Sequence, residues 1–158
     1  MVCAQATGCA PIARAFEEGA ENVRPWGDQP DTIATAIADP LLGYEDDGTL
    51  TLRAVRETGG VALAVTDEAI KEAIRCLASL EGVFAEPSGA VPVAALTALY
   101  TRGVIQAGSR VVCLITGHGL KDPMAADQNV EMPTIEPETE QLFEALESGT
   151  QTHEKESI

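Results

Sequence analysis

The stretch VALAVTDEAIKEAIRCLASLEG (residues 61–82) decides the fold. Its first five residues are wholly apolar, a run suited to a strand buried in a parallel sheet. Thr66 follows as an N-cap, and Asp67 and Glu68 fall in the first turn, at the positive end of the helix dipole. Ile70, Ile74, Leu77 and Leu80 then recur at helical spacing along one face, and Gly82 ends the helix. A buried strand turning directly into an amphipathic helix is the building unit of layered α/β folds.

Upstream of this unit, residues 2–6 read as another strand. Thr7-Gly8 leads into a helix over 9–18, with Pro11 in its first turn and Gly19 as its stop. Residues 22–31 form a loop punctuated by Pro25, Gly27 and Pro30. A short helix over 32–38 halts before Asp39-Pro40, and residues 43–48 read as an acidic loop. Leu52, Val55 and Arg56 predict a helix ending at Gly59-Gly60. Downstream, residues 83–85 are a short strand candidate. Residues 87–101 form a helix so rich in Ala, Val and Leu that burial is expected, with Ser88 a possible cap. Residues 110–115 are the clearest strand and run straight into Thr116-Gly117-His118-Gly119. The expected division is a domain over 1–122 and an acidic tail over 123–158, with one helix over 137–146 and a disordered end.

The predicted class is therefore α/β, a partial three-layer αβα arrangement with mostly parallel strands. In such sheets ligands bind beyond the carboxyl ends of the strands. Thr7-Gly8 and residues 116–119 are the loops that fit that place.

The 158-residue chain carries a net charge of −15. A field of that sign repels phosphate backbones, so nucleic acid is not the expected partner. No apolar run reaches the roughly 18 residues of a membrane span, and residues 1–10 lack a signal-peptide pattern, so a cytoplasmic protein is expected. Carboxylate-rich surfaces with only three lysines stay hydrated where salt shortens the Debye length to about 3 Å at 1 M. That composition raises the expectation of a halophilic protein. The cysteines at 3, 9, 76 and 113 form no C-x-x-C pair, and His118 and His153 stand apart from them, so no metal site is expected. The thiols read as small buried hydrophobes.

Taken alone, His118 is a candidate base that sits between two glycines, where a loop role is the plainer reading. Lys121 and Asp122 read as a solvated pair. The whole segment RVVCLITGHGLKD (residues 110–122) nevertheless resembles the C-terminal strand and cofactor loop of threonine synthase, a fold-type II, tryptophan synthase β-like pyridoxal-phosphate enzyme. The resemblance extends, in the family's order, to QATGCAPIARAF (5–16), DTIATAI (31–37), LRAVRETGG (52–60) and LEGVFAEPS (80–88). One departure follows Ile37, where Ala38 leads directly to Asp39-Pro40 in place of a longer Arg-Ile-Gly-type linker.

This resemblance implies a lyase of threonine biosynthesis that converts O-phosphohomoserine and water to threonine and phosphate with pyridoxal 5'-phosphate. It implies that Thr116 faces the pyridine nitrogen, and that the segment containing Ala36 lines the ring. A neutral hydroxyl there does not hold the ring nitrogen protonated. The family's Schiff-base lysine and Gly/Asn-rich phosphate cradle belong to upstream sequence, so no catalytic residue is assigned here. Lys71 falls opposite Ile70 and Ile74, Lys121 follows the loop and Lys155 lies in the tail. The chain thus reads as the C-terminal half of such an enzyme, inactive alone and expected to expose an edge at Val2. A second chain bearing the N-terminal half, or self-association, would cover that edge. EPSGA (86–90) resembles instead the serine and threonine dehydratases of the same fold. Their ring-nitrogen loop usually carries serine or cysteine, which favours the synthase. A non-catalytic α/β binding module is the third reading.

Overall fold

β1 (Val2–Ala6) and β2 (Val61–Val65) pair in parallel, with Val2 opposite Val61 and Ala6 opposite Val65. Parallel neighbours need a long crossover, and the chain between them supplies α1 (Pro11–Glu17) and α2 (Glu45–Glu57). The computed structural model describes residues 1–122, 136 and 138–144. Alternation along β2 then builds the layers. Leu63 and Val65 point into a core shared with α3 (Asp67–Glu81) and α4 (Pro87–Thr101), which includes Ile70, Ile74, Val91 and Leu99. Ala62 points the other way, onto Ala10 and Ala13 at the start of α1. Ala15, Val23, Leu41 and Leu52 close a further cluster between α1 and α2. Helices therefore cover both faces of a two-stranded parallel sheet.

The strand-turn-helix unit over 61–82 forms as read except at Leu80: Ile70, Ile74 and Leu77 are buried, whereas Leu80 in the last turn is 76% exposed. Thr66 caps α3 by accepting from the Ala69 amide at 3.3 Å, and Gly82 closes it in the left-handed conformation. α1 is shorter than the expected 9–18, because its first turn is organised from β1. Pro11 has no N–H to satisfy, and the Gln5 side-chain oxygen accepts from the next two amides, Ile12 at 2.9 Å and Ala13 at 3.0 Å.

Four expectations need correction. Residues 43–48 are not an acidic loop: α2 begins at Glu45, and Glu45, Asp46 and Asp47 occupy the first turn, where the helix dipole favours them. Gly48 lies inside this helix because a side chain there would run into Leu41 and Val23. Residues 32–38 supply only a 3-10 turn, Thr35–Ile37, because Thr32 and Ile33 bond to the Asp67 side chain and leave the helical pattern. Residues 83–85 form no strand, only an isolated antiparallel bridge between Ala85 and His118.

The fourth correction concerns residues 110–115, which join no ladder among the described residues. Val112 is 88% and Leu114 71% exposed. An apolar run becomes a strand only where a neighbour takes its N–H and C=O groups, and among the described residues β1 and β2 pair only with each other. Ile115 still packs on the main core.

The chain divides into compact units over 1–127 and 128–158. In the second, residues 139–144 are helical, within the helix expected over 137–146, and the Glu136 amide donates to Gln141. The tail before residue 136 and the disordered end expected over 148–158 lie outside the described residues.

Candidate cofactor site

β1 and β2 end together, and the Thr7 amide donates to the Val65 carbonyl at 2.8 Å, so both carboxyl ends open onto one place. Gly8 there admits no side chain, because the Asp31 carbonyl occupies the space a Cβ would need, and the Asp31 amide donates back to Gly8 at 3.2 Å. That contact delivers the segment after Asp31 to the strand ends. Asp67, in the first turn of α3, then takes hold of it: its carboxylate accepts from the Thr32 hydroxyl at 2.6 Å and the Ile33 amide at 3.0 Å. Further along, the Ala36 amide donates to Ser88 Oγ at 3.1 Å. Ser88 thus bonds to a neighbouring segment and does not cap α4, whose N-cap position is Glu86.

The other candidate loop reaches the same helix start. A Cβ on Gly89 would sit 3.1 Å from the Gly117 carbonyl oxygen and 3.4 Å from the Thr116 amide nitrogen. A Cβ would be a tight fit there, so glycine suits the close passage of the two backbones. Ala36 and Thr116, 80 positions apart in sequence, therefore flank Ser88 and Gly89 at the start of one helix. Both residues are exposed, and Thr116 forms no hydrogen bond among the described residues.

His118 is engaged locally. Its Nδ1 accepts from the Leu120 amide at 3.1 Å, and its ring meets Phe84 edge-on with centroids 5.7 Å apart. These contacts give it the loop role that was the plainer reading. Lys121 corrects the sequence reading: its Nζ lies 3.1 Å from the buried Glu86 carboxylate, so it does not form a solvated pair with Asp122. Sequence reasoning missed the tethering roles of Gln5, Asp67 and Glu86. The one available signal was an acidic residue directly before Pro87, where a helix start would bury it.

All four cysteines are free; Cys9 is buried and the others are half-buried. Burial pushes the Cys9 thiol upward, and the Asp39 charge adds to it. Burial likewise raises Cys3 and Cys113. No group of three or more His, Cys, Asp or Glu among the described residues is placed to hold a metal ion. No helix among them is long and apolar enough to cross a membrane. A cavity of about 240 Å³ lined by Phe16, Val61, Leu99 and Arg102 lies at the far end of α4. At 1.5 Å per residue that is about 20 Å from Ser88, so it is separate from this site.

The chain is 45% identical over 129 residues to the threonine synthase of Methanocaldococcus jannaschii, covering 82% of this chain and 31% of that enzyme. It is 44% identical over 131 residues to that of Methanosarcina acetivorans, covering 83% of this chain and 31% of that enzyme. It thus spans about a third of the length of these curated relatives. Among solved structures, a threonine deaminase from T.th. superposes with a TM-score of 0.52 at 27% identity, over 64% of this chain and 30% of that one. Residues 1–117 match the family described as pyridoxal-phosphate dependent enzyme, and the chain belongs to that family.

Proposed function

We propose that residues 1–122 form the cofactor-ring side of a threonine synthase, which converts O-phosphohomoserine and water to threonine and phosphate. The observation that carries this reading is the 45% identity to a threonine synthase over 129 residues. The approach of Ala36 to Ser88 and of Thr116 to Gly89, both at the start of α4, supports it.

When bound, pyridoxal phosphate supplies an electron sink for carbanion chemistry. The chain's own residues hold and tune its ring. Thr116 offers a neutral hydroxyl to the ring nitrogen and brings no charge that would keep that nitrogen protonated. The segment around Ala36, tied down by Asp67 and Ser88, lines the ring. Lys71 is exposed on α3 and Lys121 is paired with Glu86. On this reading the covalent lysine and the phosphate cradle belong to sequence outside this chain, on the same polypeptide or a companion.

A second reading rests on the threonine deaminase likeness and on Glu86-Pro87-Ser88-Gly89: a dehydratase of the same fold. One assay separates the two. The chain is co-expressed with the upstream two-thirds of the M. jannaschii enzyme, and the purified pair is given O-phosphohomoserine, serine and threonine in turn. Threonine and phosphate from the first substrate are the expected products. Keto acid and ammonia from the hydroxy amino acids, with phosphohomoserine untouched, would transfer the assignment to the dehydratases.

A further inference from the structure

We propose that Glu86 is a positioning residue: its buried carboxylate, set between the Cα of Gly117 and the ammonium of Lys121, locks the loop that carries Thr116 onto the start of α4. Glu86 is only 7% exposed. A carboxylate so placed is costly unless a cation or hydrogen-bond donors compensate it. Lys121 Nζ supplies that charge at 3.1 Å from Oε2. Gly117 makes room, because any Cβ there would overlap the Glu86 carboxylate. Two backbone bonds complete the attachment: the Glu86 amide donates to the Gly117 carbonyl at 3.0 Å, and the Gly119 amide to Phe84 at 2.8 Å.

The lock matters because Thr116 makes no hydrogen bond of its own among the described residues. Residues 110–115, which lead into it, join no ladder among the described residues, so on that side the loop has the packing of Ile115 on the core but no strand pairing. Glutamine could fill the same volume, but only a carboxylate also draws Lys121 across the loop. Glu86 acts on the cofactor only through Thr116, so its part in catalysis rests on the reading above; the lock itself does not.

The test uses the full chain, labelled with ¹⁵N and followed by amide hydrogen exchange and amide chemical shifts. Lys121 is 66% exposed in its side chain, so Lys121→Met leaves the core intact. It should speed exchange at Gly119 about tenfold, the loss of one charge-assisted hydrogen bond. It should also shift the Thr116 and Gly117 resonances while the core amides of β2 stay protected. Lys121→Arg should restore the parent behaviour, and Glu86→Gln should reproduce the loss. Unchanged Gly119 exchange in Lys121→Met, or an equal loss of protection in β2, would overturn the proposal. Thr116→Val should leave the lock intact. A Thr116→Val pair that kept full turnover with the lock intact would refute the cofactor reading alone.

Discussion

Gln5 is a strand residue that starts a helix. Its side-chain oxygen takes the two amides that α1 leaves open after Pro11, one buried and one part-buried. Replacing it by alanine leaves one buried and one part-buried donor without this partner, so Gln5→Ala should destabilise the chain by about 1–3 kcal/mol. Urea unfolding checks this, and an unmoved midpoint would show that the amides find other partners. Cys9 is the residue whose composition-based reading holds best: it is fully buried and behaves as a small hydrophobe. Because burial and Asp39 both raise its thiol, its thiolate fraction lies below that of a free cysteine at every pH through the alkaline range. Alkylation of Cys9 in the folded chain should be slower than in the urea-unfolded chain at pH 8. Its rate should still climb at alkaline pH, where the unfolded thiol has levelled off. Equal rates in the two states, followed by mass spectrometry, would contradict the burial of this thiol.

Elements with local signals were legible in the sequence. α3 declares itself through Thr66, the apolar spacing from Ile70 to Leu77, and Gly82, and all of these act within one helix. α2 was half legible. Its apolar face was plain, but acidic residues that look like a loop are its favourable first turn, and Gly48 is there for packing against Leu41. What could not be read depends on distant partners. Nothing near Thr32 announces that Asp67 will take its hydroxyl, and nothing in residues 110–115 says whether a neighbouring strand exists. The site was legible in the same measure. Thr116 and Ala36 were nameable by resemblance, whereas EPSGA (86–90) read as dehydratase-like, with nothing in it to announce that Ser88, Gly89 and Glu86 hold the two flanking segments. Asp67→Ala releases both hydrogen bonds that hold residues 32 and 33, at an expected cost of about 2–3 kcal/mol. The Ile33 amide should then exchange much faster while α3 keeps its protection. Retained protection at Ile33 would show that Ser88 alone holds this segment.

Across the whole molecule, charge sets the conditions for stability. A net charge of −15 on 158 residues is self-repulsive, and salt relieves such repulsion. A halophilic protein remains our proposal on this ground, and it predicts a thermal midpoint that rises between about 0.1 and 2 M potassium chloride. A flat or falling midpoint would remove it. The described residues also leave Val112 and Leu114 open to solvent beside a two-stranded sheet, as expected of part of a larger layered fold.

The central claim is that these residues present one wall of a pocket whose covalent anchor lies on other sequence. Its most direct test is the absorbance of the full chain after incubation with pyridoxal phosphate and desalting. No stoichiometric band of lysine-bound cofactor is expected from the chain alone. A stable one-to-one band, mapped to Lys71, Lys121 or Lys155, would contradict it.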